Sequence, residues 1–350
     1  MVEQPWQHPA PDPQAGSPAA ATPPLPRRHL LAASLGAAGL LAAPRLARAA
    51  WPDDRPVRIV VPFTPGGSTD ILARAMAQRL GEELKQTFVV ENRGGAGGTL
   101  GSENVARSAP DGYTLMMGHI GTLAVNPGLY PNLSFDTATA FAPVVLVAVV
   151  PNVLAVNPRV VPAANVGELV ALAKREPGRF TYGSGGNGSA AHIAMVAFNE
   201  ATGTQMTHVP YRGTAPMMTD VIAGQVSMTL TGGPPALPPV RAGQLKALGV
   251  SSLQRLSSAP DIPTIAESGV PGFDAVQWYG LVAPANTPRA IIDKLNAESI
   301  RILREPALKA RLEAEGADAD PGTPEAFGEF IRTERERWTA LVRRAAVKAD

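Results

Sequence analysis

Strand-like and helix-like segments alternate along the chain from about residue 58 onward, and this alternation restricts the possible folds more than any other feature. The stretch Arg58–Phe63 is apolar and β-branched, and a Pro-Gly-Gly turn ends it. Leu72, Met76, Leu80 and Leu84 then recur at the spacing of one helix face. Similar pairs of a strand and a helix follow. Repeated β-α-β units predict an α/β fold with parallel sheets and helices on both faces.

The order of these segments predicts two lobes. One α/β series runs to about residue 152 and a second to about residue 272, and the tail has helices but too few strands to stand alone. We therefore expect residues 50–152 and 273–350 to form lobe 1, and residues 153–272 to form lobe 2. The apolar stretches Val149–Val156 and Ala275–Val282 would then be two crossings that act as a hinge. Ligand pockets favour the cleft between such lobes.

Residues 1–49 are predicted to be a disordered extension followed by a signal peptide. Met1–Pro26 is rich in Pro, Ala and Gln and has no hydrophobic period. Arg27 and Arg28 precede the charge-free apolar stretch Leu30–Ala43, and the small residues around Arg48 are typical of a cleavage site. This pattern predicts export to the periplasm by the Sec or the twin-arginine route. The alternative is an uncleaved membrane anchor.

Composition and missing motifs exclude several functions. The formal net charge is +1, whereas nucleic-acid-binding domains are usually strongly basic. Cysteine is absent, so the chain has no disulfide, no thiolate nucleophile and no Cys-ligated metal. No H-E-x-x-H, G-x-S-x-G or P-loop motif occurs. We expect a monomer without catalytic residues, metal or cofactor, and keep a nucleotide-dependent or hydrolytic α/β enzyme as the alternative.

Three glycine-rich turns follow predicted strands and precede predicted helices. They are PGGSTD at 65–70, GGAGGT at 94–99 and GSGGNGS at 183–189. A helix N-terminus has free N–H groups and a partial positive charge, and glycine lets an anion approach the backbone. Such turns can bind a carboxylate or phosphate without Lys or Arg, although they can also be simple tight turns with capped helices. One turn in each lobe favours a shared anion site.

The third turn also satisfies the dinucleotide-binding pattern G-x-G-x-x-G. That pattern expects an acidic residue at the end of the next strand, where it would bind ribose. The corresponding stretch, Thr207–Tyr211, contains no acid. The sequence therefore disfavours nucleotide binding.

Six stretches spread over almost all of residues 51–350 carry a family resemblance. They are WPDDRPVRIVVPFTPGGSTD (51–70), VENRGGAGGTLG (90–101), APDGYTL (109–115), YGSGGNGSAAH (182–192), VPYRGT (209–214) and WYGLVAPANTP (278–288). Together they resemble the Bug proteins, the extracytoplasmic receptors of tripartite tricarboxylate transporters. The resemblance implies a type II periplasmic-binding-protein fold with a two-strand hinge, and a solute-binding receptor rather than an enzyme.

The resemblance also implies the ligand and the partners. The ligand would be a small carboxylate: a tricarboxylate, a dicarboxylate, an acidic amino acid or an aromatic acid. The partners would be the membrane subunits of the transporter, or a signalling protein if the same receptor serves as a sensor.

Carried over by motif, the resemblance places the first-lobe and second-lobe turns on the carboxylate. These candidates are Phe63, Thr64, Pro65, Gly66, Gly67, Ser68, Asp70, Ser184, Gly185, Gly186, Asn187, Gly188 and Ser189. Thr64 stands where many relatives have another proline. Thr122 is preferred to His119 as a donor, and His192 is a candidate whose alternative role is helix packing. Candidates for the far end of the cleft, or for hinge and core packing, are Tyr211, Thr231, Trp278 and Tyr279.

Overall fold

The structure is a computed structural model that describes residues 51–130, 132–314, 316–319 and 321–348. The predicted extension and signal peptide lie outside the described residues. None of the helices in the described part of the chain is long and apolar enough to span a membrane.

Strands and helices alternate along the described chain. The strands are β1 (Val57–Val61), β2 (Phe88–Asn92), β3 (Thr114–His119), β4 (Phe141–Val150), β5 (Asn152–Val156), β6 (Thr181–Ser184), β7 (Thr207–Pro210), β8 (Met228–Gly232), β9 (Lys246–Val250) and β10 (Gln277–Pro284). The helices are α1 (Ser68–Leu84), α2 (Thr99–Ala106), α3 (Asn126–Leu129), α4 (Val166–Arg175), α5 (Ala190–Thr202), α6 (Thr214–Ala223), α7 (Gly233–Arg241), α8 (Arg289–Leu303), α9 (Pro306–Ala314) and α10 (Pro324–Arg344). A 3₁₀ turn, Ala96–Gly98, precedes α2, and a π-helical turn, Gly121–Val125, precedes α3.

The strands form two five-stranded sheets, in the orders β2-β1-β3-β10-β4 and β7-β6-β8-β5-β9. In the first sheet β1 is parallel to β2 and β3, whereas β10 is antiparallel to β3 and β4. The second sheet repeats this plan, with β6 parallel to its neighbours and β5 antiparallel to β8 and β9. The α/β, two-lobed prediction is confirmed. Parallel sheets were expected, and each sheet also contains one antiparallel strand, β10 in the first and β5 in the second, which enters from the other lobe.

The chain passes from the first sheet to the second at Pro151. β4 ends at Val150 and β5 begins at Asn152, and the chain returns to the first sheet at β10. The continuous apolar stretch from residue 144 to 156 is therefore two strands in two sheets. Proline has no N–H to donate to a sheet, so it suits the point where the strand changes partners. The exact lobe limits, at residues 152 and 272, stay a prediction.

Buried side chains link the two crossings. Asn152 Nδ2 donates to the carbonyl of Ala275 at 2.6 Å, and Gln277 Nε2 donates to Asn152 Oδ1 at 2.5 Å. The Tyr279 hydroxyl donates in turn to Gln277 Oε1. Because buried amides need partners, these hydrogen bonds hold the crossing strands at a defined position relative to each other.

Side-chain caps mark the starts of α4, α5 and α10. Asn165 caps α4 by accepting a hydrogen bond from the Glu168 amide at 2.9 Å, as the capping pattern predicted. Thr323 likewise caps α10, accepting from the Ala326 amide at 3.2 Å. The sequence did not predict α7, because its stretch GPPALPPVR is rich in proline. Its first prolines lie in the opening turn, where a helix needs no N–H donor.

Trp278 packs in the core of lobe 1 and does not line the cleft. Its indole Nε1 donates to Glu334 Oε2 at 2.9 Å, and the Trp338 indole donates to the same oxygen at 2.7 Å. Trp278 is completely buried. Of the roles that the sequence allowed, contact at the far end of the cleft or packing in the hinge or core, its position is that of core packing.

We expect Glu334→Ala to lower the free energy of unfolding by roughly 2–4 kcal/mol, because two buried indole N–H groups would lose their acceptor. Glu334→Gln keeps an acceptor oxygen and should cost less than half as much. Urea denaturation of both variants measures the difference. Equal losses for the two substitutions would contradict this assignment.

Candidate functional site

A small cavity of about 30 Å³ lies between the two sheets, at the starts of three helices. Its lining residues are Phe63, Gly67, Ser68, Thr69, His119, Gly185, Ser189, Ala190, Ala191, Thr214, Thr231, Gln277 and Tyr279. The volume corresponds to about one water molecule. The two lobes therefore contact each other around the site, and a ligand larger than a water molecule would hold them further apart than they are here.

The helix starts come from both lobes. Ser68 and Thr69 begin α1 in lobe 1, Ser189 is the N-cap of α5, and Thr214 begins α6 in lobe 2. The first amides of a helix have no intrahelical acceptor, and their dipoles add a partial positive charge. Three helix N-termini therefore share one cavity, and the sequence predicted two of them.

None of the described residues that line the cavity carries a charge. Polarity comes instead from hydroxyl groups, the Gln277 amide, the His119 ring and the backbone at the helix starts. Burial raises the pKa of the Tyr279 hydroxyl, so this group stays protonated. Such a site offers donors to an anion and no acidic partner to a cation.

Asp70 supports the first-lobe turn and does not line the cavity. Its carboxylate accepts hydrogen bonds from the Gly66 amide at 3.1 Å, from Arg74 Nε at 3.0 Å and from Asn92 Nδ2 at 3.0 Å. Burial alone would raise the Asp70 pKa, but these hydrogen bonds outweigh it and lower the pKa. The ionised carboxylate therefore holds the turn in shape. Pro65 and Gly66 are exposed and also lie outside the cavity.

His119, and not Thr122, faces the cavity. The His119 ring stacks on Phe63 at a centroid distance of 4.5 Å, and its Nδ1 accepts from the Gly121 amide at 2.6 Å. The neutral ring therefore carries its proton on Nε2. Thr122 bonds instead to the amide and the carbonyl of His119, both at 3.1 Å. Thr122, which the sequence favoured as the donor, does not line the cavity, because its hydroxyl bonds to the backbone within the π-helical turn.

Acidification should destabilise the folded chain through His119. Burial lowers the pKa of His119 from 6.5 to about 4, so the unfolded chain takes up a proton first as pH falls. The stabilisation is complete above pH 6.5 and is lost as pH falls towards 4, by about 3 kcal/mol. Urea denaturation between pH 7.5 and 4.5 should show a shallower pH dependence for His119→Gln than for the natural chain. Parallel pH profiles would show that His119 does not titrate in this way.

Two histidines that do not line the cavity, His192 and His208, contact the glycine-rich turn of lobe 2. Ser184 Oγ and His208 Nε2 lie 2.6 Å apart, and His192 Nδ1 accepts from the Gly188 amide at 3.1 Å. The rings of His192 and His208 stack at 4.0 Å. Burial, with a smaller effect of His208, lowers the pKa of His192 to about 3. Both imidazoles therefore support the turn.

Of the second-lobe candidates, Ser184, Gly186, Gly188 and His192 lie outside the cavity lining. Asn187 also lies outside it. Asn187 and His192 instead line a separate groove of about 500 Å³, together with α5 and the end of the chain. The position of His192 outside the cavity agrees with helix packing, its alternative role, and not with contact to a ligand in the cavity.

The turn at residues 94–99 contacts the second-lobe turn. Tyr130 Oη donates to the Asn187 carbonyl at 3.3 Å, and Asn126 Nδ2 donates to the Gly97 carbonyl at 3.0 Å. A Cβ atom at Gly97 would lie 2.2 Å from the Asn187 carbonyl oxygen. This turn therefore does not line the cavity, and its glycine allows the two lobes to approach each other.

The candidates for the far end of the cleft divide into two groups. Thr231 and Tyr279 line the cavity. Tyr211 does not: its hydroxyl donates to Asp220 at 2.6 Å, and burial together with this carboxylate raises its pKa to about 12.

Lining residues that the sequence did not single out are Thr69, Ala190, Ala191, Thr214 and Gln277. Thr214 follows a strand and Gly213, so the signal used for the other two turns could have found it. Gln277 had no such signal.

The chain is similar to known receptors over nearly all of its described length. The model of the tripartite tricarboxylate transporter family receptor, TctC, matches residues 72–347. Protein BugT of Bordetella pertussis is 37% identical over 295 residues, which cover 84% of this chain and 90% of BugT.

Two solved structures are also similar. R. palustris Rpa4515 with adipate has a TM-score of 0.82 and 36% identity, covering 85% of this chain and 99% of that one. MatC of Rhodopseudomonas palustris with bound malate has a TM-score of 0.79 and 33% identity, covering 83% of this chain and 99% of that one. These similarities confirm the predicted type II periplasmic-binding-protein fold.

Proposed function

The chain belongs to the tripartite tricarboxylate transporter receptor family, whose members bind substrates and are not enzymes, and from this premise we propose that it captures a small organic carboxylate between its lobes. Receptors of this family are periplasmic binding proteins. We therefore propose that the chain acts in the periplasm and delivers its ligand to the membrane subunits of the transporter.

The convergence of helix starts from both lobes on one uncharged cavity supports this proposal most strongly. Amides of α1 from one side, and of α5 and α6 from the other, can bind one carboxylate without any Lys or Arg. A ligand held by both lobes favours the closed form, because it binds that form better than the open one. The relatives solved with adipate and malate support the same ligand class.

The lining also favours a dicarboxylate over an acidic amino acid. An α-ammonium group would be buried in this cavity without a carboxylate partner, and an unpaired buried charge is costly. A second carboxylate could instead accept hydrogen bonds from the Thr231 hydroxyl and from His119 Nε2. We propose a dicarboxylate without an amino group, within the size range from malate to adipate.

Titration calorimetry on refolded, ligand-free protein tests the proposal. The panel is malate, succinate, adipate, citrate, benzoate and aspartate. Saturable heat is expected with at least one of the dicarboxylates, and binding of aspartate is expected to be weaker by a factor of a hundred or more. Absence of saturable heat with every acid would refute the proposed function. Preferred binding of aspartate would refute only the ligand class.

A further inference from the structure

Thr64 lies at the contact between the lobes and has an unusual environment. Within the described part of the chain, its Oγ1 is buried and has no hydrogen-bond partner. Thr64 is not among the residues that line the cavity. Its hydroxyl therefore has neither a protein partner nor a position facing the ligand.

The atoms facing Thr64 belong to lobe 2. A Cβ atom built on Gly213 would lie 1.7 Å from Thr64 Oγ1, so the hydroxyl occupies the space that a side chain at residue 213 would need. Two glycines close to Thr64 in the chain also lie near the start of α6. A Cβ atom built on Gly66 would lie 3.5 Å from Ala215, and one built on Gly67 would lie 3.0 Å from Thr214 Oγ1. The first-lobe turn thus packs directly on the start of α6.

Gly213 of lobe 2 lies directly against the buried hydroxyl. If the lobes separated, Gly213 would move away and water could reach Oγ1. Closing then removes the hydroxyl from water without replacing its hydrogen bonds, which is unfavourable. This penalty applies to the closed form alone, so it shifts the equilibrium towards the open form. It does not change the contacts between protein and ligand.

We propose that Thr64 weakens closure, and so lowers the affinity of the receptor for all of its ligands by a common factor. Affinity for a ligand that binds the closed form is scaled by the fraction of protein able to close. A buried unpaired hydroxyl is expected to reduce that fraction by about tenfold, equivalent to about 1.4 kcal/mol. The inference rests on the proposed function only where ligand affinity is concerned.

Thr64→Val is the direct test, because valine has the same shape and no hydroxyl. Thr137→Val is the matched control: Thr137 Oγ1 is also buried without a partner in the described chain. Thr137 lines a cavity whose other residues, such as Phe141 and Ile331, all belong to lobe 1. Removing its hydroxyl should therefore change stability but not closure.

Closure is measured first without ligand. The chain has no cysteine, so Arg107→Cys and Lys174→Cys place one fluorophore on an exposed position of each lobe. Single-molecule energy transfer should show the ratio of closed to open molecules rising about tenfold in Thr64→Val and staying unchanged in Thr137→Val. An unchanged or lower ratio in Thr64→Val would overturn the proposal.

Calorimetry with malate and adipate is the second measurement. Thr64→Val should bind each acid that the natural chain binds about tenfold more tightly, by the same factor for every acid. Weaker binding, or a gain for one acid only, would mean that the hydroxyl contacts ligand and would overturn the proposal. If the natural chain binds no acid, the proposed function fails, and the ligand-free measurement still decides the role of Thr64.

Discussion

Ser189→Asp should abolish carboxylate binding while leaving the fold intact. Ser189 is the N-cap of α5, it accepts from the His192 amide, and it lines the cavity. Aspartate is an equally good N-cap, so the helix keeps its start. The new carboxylate would, however, bring a negative charge to the helix end that is proposed to hold the ligand. Two like charges about 4 Å apart at an effective dielectric constant of about 20 repel by about 4 kcal/mol, which corresponds to a loss of affinity of roughly a thousandfold.

Ser189→Asn is the matched control, because asparagine has nearly the same shape, caps helices as well as aspartate does and carries no charge. It should keep binding within about tenfold of the natural chain. Calorimetry with malate and adipate measures affinity, and urea denaturation should place the two variants within about 1 kcal/mol of each other. If both variants bound equally well, the charge at the helix start would not govern recognition, and the proposed carboxylate site would be wrong.

Gly97→Ala should reduce ligand affinity by at least a hundredfold by preventing the lobes from closing. Its Cβ atom would lie 2.2 Å from the backbone carbonyl of Asn187 in the other lobe, and 2.9 Å from the Tyr130 hydroxyl. A backbone atom cannot be moved aside as easily as the end of a flexible side chain. In an open form Asn187 would be withdrawn, and the new methyl group would then be close only to the Tyr130 hydroxyl, the end of a side chain that can move aside. The substitution therefore acts on the closed form, where the ligand is held.

Gly243→Ala is a control that separates the clash between the lobes from the backbone strain of placing alanine at a positive φ. Gly97 has a φ of 59° and Gly243 a φ of 69°, so alanine is strained by about 1–2 kcal/mol at either position. A Cβ atom at Gly243 meets nothing within 4 Å. Gly243→Ala should thus lose the same stability and keep its affinity. Loss of binding in both variants, or in neither, would argue against a role of Gly97 in closure.

Thr64 and Gly97 affect the same equilibrium in opposite directions. Both lie in lobe 1, outside the cavity, and both face the backbone of a lobe 2 turn. Thr64→Val should favour closure and Gly97→Ala should oppose it. The affinity of this receptor is therefore expected to depend on contacts around the site as well as on the residues that line it.

Much of the fold could be read from local sequence patterns. The spacing of Leu72, Met76 and Leu80 predicted α1, and Asn165 and Thr323 marked the starts of α4 and α10. The glycine-rich turns predicted helix starts in both lobes, and the cavity lies at those starts. These signals worked because hydrophobic period, helix capping and tight turns are determined by residues close together in the chain.

Other features depended on which distant segments meet. The stretch from residue 144 to 156 reads as one strand, and only the pairing of β4 with β10 and of β5 with β8 and β9 divides it at Pro151. The sequence favoured Thr122 over His119 as a donor, whereas in the folded chain Thr122 bonds to the backbone of His119 and the His119 ring lines the cavity. The role of Gln277 follows from a partner, Asn152, that is remote in sequence.

By itself, then, the sequence determined the order of strands and helices, the capped helix starts, and a type of turn suited to a carboxylate. The tertiary structure alone decided which side chains line the cavity and which atoms of the two lobes touch. The physical reason is the range of the interactions. A turn or a helix cap forms among neighbours in the chain, whereas the direction of a side chain and the closeness of two lobes are set by packing between segments far apart in sequence.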